Sequence, residues 1–170
     1  MTPEKFTDAL ALLKTDHRKV DGLFEKFETA RGSSKQAIAE QICNELKIHA
    51  TIEEELFYPA LKGKIDDALL NEAYVEHDGA KVLINDIMDG GPDDEFYDAK
   101  VTVLAEDIKH HVKEEEEPGK GMFAQARDTD LDLVSLRDAM LARKEQLLAQ
   151  LEAGGLPPAQ LAAVNAASSN

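Results

Sequence analysis

His49-Ala-Thr-Ile-Glu53 sets an imidazole and a carboxylate four residues apart in a run without helix breakers. On a helix the two project from one face, offset by about 40° and about 6 Å of rise, which forms a pincer for a metal ion if that face is buried. The spacing returns once, as His111-Val-Lys-Glu-Glu115. One His-x-x-x-Glu carries little weight, because most such pairs are solvated neighbours on a helix surface. Two in one short chain ask for a common explanation.

The elements that would carry these residues can be read from apolar spacing. Thr2-Pro3 reads as an N-cap with proline at the first helical position, and Phe6, Leu10, Leu13, Val20, Phe24 and Phe27 follow in threes and fours, the seam of a bundle helix. His17 fills the one seam position missing from that series. Arg31 to Ser34 ends this helix and caps a second, whose seam is Ile38, Ile42, Leu46, His49, Glu53, Leu56 and Ala60, with Pro59 and Gly63 closing or kinking it. A third runs from about Asp66 to Asp89 on Leu70, Ala73, Ala80, Ile84 and Ile87, with His77 in the gap. Asp93-Asp94 caps a fourth on Val101, Leu104 and Ile108, continued by His111 and Glu115 and stopped at Pro118. A last helix, from about Asp130 to Glu152, has no histidine on its seam and reads as packing support or a surface for a protein partner. Beyond Gly154-Gly155 the chain reads as a flexible tail.

The predicted fold is therefore all-α: an up-down four-helix bundle over 1–126, an additional C-terminal helix over 127–153 packed on or near it, and a tail over 154–170. The two hairpins share a weak two-fold pattern, His then His-x-x-x-Glu, which would bring six side chains to one centre. With 34 acidic against 19 basic residues among 170, the net charge of −15 opposes binding to nucleic acid or anionic lipid. One cysteine, Cys43, excludes an intrachain disulfide framework and a thiolate zinc site; it reads as a small buried helix residue. The first residues lack the basic start and apolar block of a signal peptide, and no apolar run approaches a membrane span, so a cytoplasmic location is expected.

Four of the five histidines, His17, His49, His77 and His111, lie on seams that apolar residues define independently; His110 is one residue out of phase and reads as surface. If histidines fell without regard to phase, with about two positions in seven on a seam, this would occur only a few times in a hundred. Buried Glu53 and Glu115 would each cost several kcal/mol uncompensated, and no seam lysine or arginine stands beside them. A bound dication compensates both. Four imidazoles and two carboxylates without thiolate suit iron or manganese more than structural zinc. Two octahedral ions offer about twelve positions; four histidines, two bridging glutamates and an oxo or hydroxo bridge leave about two open. Glu54, Glu55, Glu114, Glu116 and Glu117 flank the seams and read as solvated faces, with hydrogen bonds to a ligand histidine as the minority reading.

These residues resemble the hemerythrin-like, or HHE cation-binding, family of non-haem di-iron four-helix bundles. The resemblance covers about Leu12 to Ala126 through Asp16-His17, His49-x-x-x-Glu53 running into Leu-Phe-Tyr-Pro, Glu76-His77 and His111-x-x-x-Glu115. It implies that His17, His49, His77 and His111 are terminal ligands of two iron ions and that Glu53 and Glu115 bridge them. The chain departs from the oxygen carriers, which have a fifth histidine where Ala73 stands and pair their last histidine with an aspartate five residues on. The set is closer to bacterial iron-centre repair proteins, stand-alone bacterial hemerythrin-like proteins and the iron-sensing F-box subunit. Tyr58 and Tyr74 are candidates for the missing ligand: Tyr74 precedes His77 by three residues, and Tyr58 adjoins the Pro59 distortion although an ideal helix puts it about 140° from Glu53.

The leading functional expectation is a cytosolic di-iron protein that binds and processes oxygen, peroxide or nitric oxide, with chemistry centred on the metal. The alternative is an iron or oxygen sensor acting without turnover, its last helix or tail displayed to a protein partner. A metal-free helical interaction module is the third reading, and it predicts that His49→Ala and Glu53→Ala leave stability unharmed.

Overall fold

The computed structural model of the chain describes residues 6–165, and every regular element among them is helical. Helix α1, Ala9–Thr29, begins where the Asp8 carboxylate accepts the Ala11 N–H at 2.9 Å, a side-chain N-cap. The Thr2-Pro3 start lies outside the described residues, and Phe6, expected on the helical seam, precedes the helix yet is buried. The remaining seam of α1, including His17, is buried as predicted, and Leu12 and Asp16 are buried beside it.

Helix α2, Ser33–Ile52, runs without a break into a π-helical turn, Glu53–Phe57, and a last α-helical turn, α3, Tyr58–Leu61. In the π turn the Tyr58 N–H reaches the Glu53 carbonyl five residues back. Pro59 is the local cause: it has no N–H for the Glu55 carbonyl, and its ring crowds that carbonyl. The extra residue shifts the helical phase. Phe57, Tyr58 and Leu61 are buried, whereas Leu56 and Ala60, the expected continuation of the seam, are only half-buried.

Helix α4, Asp67–Gly90, starts on Asp66, whose side chain accepts the Ala68 N–H, and buries the predicted seam together with Asp78 and Lys81. A single 3-10 turn, Gly91–Asp93, leads to α5, Tyr97–Glu116. Asp94 does not cap α5 as expected. Its carboxylate accepts the Phe96 N–H in the preceding turn, and Phe96 occupies the cap position without a side-chain bond. Helices α1, α2, α4 and α5 pack as a ring in which each touches its two neighbours.

A short helix that the sequence reading lacked, α6, Met122–Arg127, folds back on the end of α5. Gly121 makes this return possible, since a Cβ there would lie 2.6 Å from the Glu114 carbonyl oxygen and the Glu117 nitrogen. Helix α7, Leu133–Gly154, capped by Asp132, buries Met140, Leu141, Lys144 and Leu147 against α1 and α2. The segment after it, expected to be a free tail, instead lies along the bundle. Leu156 O accepts from Lys47 at 3.1 Å, Ala159 exchanges two hydrogen bonds with the Asn85 amide, and Ala162, Ala163 and Val164 donate backbone N–H groups to Asp78. Leu156 packs against the apolar core, and beyond it the proline- and alanine-containing segment is docked by backbone polar groups. Residues 166–170 of the expected tail lie outside the described residues.

The apolar interior is split in two. One cluster joins Leu10, Leu13, Ile52, Phe57, Leu70, Phe123 and Met140; the other joins Val20, Phe24, Ile42, Leu46, Ile84 and Leu104. Between them in the chain positions of all four bundle helices lie His17, His49, Glu53, His77, His111 and Glu115, at most 6 % exposed. Among the described residues no helix is long and apolar enough to cross a membrane.

Candidate metal centre

The six side chains singled out by spacing meet in that polar layer. His17 Nε2 and His49 Nε2 are 3.1 Å apart, as are His77 Nε2 and His111 Nε2. The carboxylates join the two histidine pairs: Glu53 Oε2 lies 3.3 Å from both His49 Nε2 and His77 Nε2, and Glu115 reaches His17 with one oxygen at 3.3 Å and His111 with the other at 3.5 Å. His17, His49, Glu53 and Glu115 form one set of converging donor atoms, and Glu53, His77 and His111 a second.

Each imidazole also has a carboxylate behind it, hydrogen-bonded in three of the four. His17 Nδ1 donates to Glu116 at 2.7 Å, His77 Nδ1 to Glu54 at 2.9 Å and His111 Nδ1 to Glu76 at 2.6 Å; His49 Nδ1 faces Asp16 at 3.5 Å. A neutral imidazole that donates from Nδ1 presents Nε2 as a lone pair, the arrangement that holds a ligating histidine. The pattern is two-fold. Asp16, His17, His49, Glu53 and Glu54 on the first hairpin correspond to Glu76, His77, His111, Glu115 and Glu116 on the second. Glu54 and Glu116 are thus not the solvated faces their flanking positions suggested. They face inward across the ring of helices, and the only signal for this in the sequence is that each follows a seam glutamate directly. Glu55, Glu114 and Glu117 do pair at the surface, with Arg143, His110 and Lys120. His110 is exposed, as its phase predicted, and Cys43 is buried, its thiol pushed up to about 12 by burial.

Tyr58 is the seventh polar group of the layer. Its hydroxyl donates to Glu115 Oε1 at 3.0 Å and lies 3.1 Å from His77 Nε2, with Glu53 Oε2 and His111 Nε2 both at 3.4 Å. The π turn brings it there, by rotating the chain after Glu53 so that position 58 shares the face of position 53. Tyr74 does not reach the donor set; it packs edge-on against the Tyr58 ring, centroids 5.1 Å apart. On the other half, Phe123 stacks on His17 with ring centroids 5.7 Å apart. A phenol therefore flanks one histidine pair and a phenyl ring the other.

The charge balance of the site fits cations. Burial alone would raise Glu53, but His49 and His77 hold its carboxyl well below the usual range. Burial likewise opposes charge on the imidazoles, yet Glu53 with Asp16 raises His49 to about 10, and Glu53 with Glu54 raises His77 to about 9. The carboxylates thus draw protons onto the rings. Even so, buried Glu53 Oε1 and Glu115 Oε2 have no hydrogen-bond partner. Orphaned carboxylate oxygens beside facing imidazole nitrogens, with no thiolate, are the donor chemistry of iron or manganese.

A helical bundle enclosing a His/Glu centre of this kind defines a class of metal-binding four-helix proteins. The sequence profile of the hemerythrin HHE cation binding domain matches residues 8–122, and the chain belongs to that family. A DNA nickase of Nostoc sp. is 30 % identical over 118 residues, 69 % of this chain but 33 % of that protein, so the chain spans about a third of its relative's length. The crystal structure of a hemerythrin HHE cation binding domain-containing protein from Mycobacterium kansasii matches with a TM-score of 0.71 at 24 % identity, over 89 % of this chain and 96 % of that one, and shows the shared fold.

Proposed function

We propose that this protein holds two iron ions, one between His17 and His49 and one between His77 and His111, with Glu53 and Glu115 shared and an oxo or hydroxo bridge. At this pair it binds and processes a small ligand: oxygen, peroxide or nitric oxide. The observation that carries the small-ligand reading is a cavity of about 20 Å³ bounded by His17, His49, His77 and His111 on one side and by Val20, Leu46, Ala80, Ile84 and Ile108 on the other. That volume admits about one water-sized molecule. Asp16 and Lys81 also line the cavity, but both are committed to ion pairs, with Lys144 and with Glu54 and Asp78, and the rest of the wall is aliphatic.

Iron in this site would supply redox equivalents and open coordination positions. The chain's own contribution is positional. Asp16, Glu54, Glu76 and Glu116 fix the imidazole planes, the aliphatic wall keeps bulk water out, and Tyr58 holds a proton on its hydroxyl beside Glu115 or serves as a further oxygen donor. Burial and the Glu115 and Glu53 charges push the Tyr58 phenol well above its ordinary range in the metal-free site. We place this activity in the cytoplasm, where a lone buried cysteine stays reduced, and away from membranes and nucleic acid, which the net charge of −15 disfavours.

Elemental analysis of protein purified without an affinity metal should find about two irons per chain. Stopped-flow mixing of the reduced protein with oxygen, peroxide and nitric oxide should produce a spectral change with at least one of them. Inertness to all three would sink the small-ligand reading while leaving iron binding intact.

A further inference from the structure

Resting on the metal function proposed above, we propose that residues 156–164 form a latch on the His77 side of the centre, acting through Asp78 and Lys81 as positioning residues. The connection is a continuous run of polar contacts, part-buried at its ends and fully buried between Asp78 and Lys81. Ala162, Ala163 and Val164 aim three successive backbone N–H groups at the Asp78 carboxylate, at 2.8, 2.7 and 2.7 Å. Asp78 accepts from Lys81 at 3.2 Å, Lys81 donates to both oxygens of Glu54 at 2.7 and 2.8 Å, and Glu54 accepts from His77 Nδ1 at 2.9 Å. Asp78 is 1 % exposed and Lys81 4 %. With the segment docked, both groups are fully committed to protein partners, so a change at one end of the run redistributes the hydrogen bonds at the next.

The two-fold pattern supplies an internal comparison. Glu116, the counterpart of Glu54, takes its cation from Arg18, whose side chain is 61 % exposed. On the His17 side the buried cation is Lys144 of α7, which pairs with Asp16 behind His49; on the His77 side it is Lys81, whose partner Asp78 is held in turn by the amides of Ala162, Ala163 and Val164. The latch has independent anchors as well. Asn85 exchanges hydrogen bonds of 2.9 and 2.8 Å with Ala159, and Lys47 donates to Leu156 O. When the segment leaves, Asp78 loses three donors and competes with Glu54 for Lys81, so Glu54, the carboxylate that orients His77, is held less firmly. Binding linkage is reciprocal, so a latch that tightens metal binding, with slower release as the expression of that affinity, must itself be held more firmly when metal is present.

The test uses the whole 170-residue chain loaded with iron, and compares it with Asp78→Asn, Asn85→Ala and Arg18→Ala. Iron release to an excess of a ferrous chelator should be about tenfold faster in Asp78→Asn, the scale of a lost partner behind a ligand histidine. It should also be faster in Asn85→Ala, which touches only the latch, and should change less than about twofold in Arg18→Ala. In the unmodified chain, removing iron should speed amide hydrogen exchange at Ala162, Ala163 and Val164. Release rates in Asp78→Asn and Asn85→Ala equal to the unmodified chain would overturn the latch, as would exchange at those amides indifferent to iron. Asn85→Ala keeps the test decisive should Asp78→Asn fail to fold. An unmodified chain that takes up no iron at all would instead overturn the metal function itself.

Discussion

Three of the four imidazoles of the centre are hydrogen-bonded at Nδ1 by a carboxylate from another element, and the fourth, His49, faces Asp16 at 3.5 Å. His17 on α1 is braced by Glu116 on α5, and His77 on α4 by Glu54 in the π turn. Glu54→Gln or Glu116→Gln should weaken iron binding by about 10–100-fold, read by competition with a chelator, with the helical fold retained. Tyr58→Phe removes the donor to Glu115 and should destabilise the metal-free protein by about 1–3 kcal/mol in urea unfolding. In the iron-loaded protein it should also abolish a phenolate-to-iron absorption band that Tyr74→Phe leaves in place. A band present in the Tyr58→Phe protein would remove Tyr58 as a ligand. The four seam histidines and two glutamates are legible in the sequence because a buried helix face writes itself in threes and fours. Glu54 and Glu116 are not, because a residue next to the seam belongs equally well to water or to a neighbouring helix until the packing partner is known.

The π turn decides which residues follow Glu53 into the interior. An ideal helix would bury Leu56 and Ala60; the five-residue turn buries Phe57, Tyr58 and Leu61. Deleting Glu55 would remove the extra residue while leaving Tyr58 in phase with Glu53, at the cost of a surface ion pair with Arg143 that is worth at most about 1 kcal/mol. That variant should keep its helical circular dichroism and its iron. Deleting the exposed Gln41 from the regular part of α2 should lose the iron, because every residue on one side of the deletion turns by about 100°. The bundle helices are legible from spacing, and so is the existence of a last helix. The burial of Lys144 against Asp16 is not, since a lysine within a Leu- and Ala-rich helix reads as solvated until a buried carboxylate faces it. The docking of 156–164 is likewise silent in the sequence, as apart from the packing of Leu156 it is made by backbone groups that every residue carries.

A bundle whose interior is cut by a charged layer depends on what balances that layer. Without metal the balance is struck by protons: carboxylate neighbours raise His49 to about 10 and His77 to about 9 against the opposing pull of burial, whereas in the unfolded chain both titrate near 6.5. A raised histidine contributes its full stabilisation below about pH 6.5 and loses it as the pH climbs through the folded values. Melting temperatures of the metal-free protein should therefore fall between about pH 6.5 and 10, and those of the iron-loaded protein should vary less, because ligating nitrogens carry no proton. At free metal one hundred times its dissociation constant the folded state gains about 2.7 kcal/mol, a rise of roughly 5–10 °C in melting temperature for a chain of this size.

The position of the latch in the chain also orders events in time. All six donors lie at or before Glu115, whereas the amides that bind Asp78 come from Ala162 to Val164. A ribosome adding about 5–20 residues per second reaches Val164 some seconds after Glu115. During that interval the bundle can be complete while its C-terminal segment is still being made, so the nascent chain passes through a brief open period for acquiring metal that synthesis itself brings to a close.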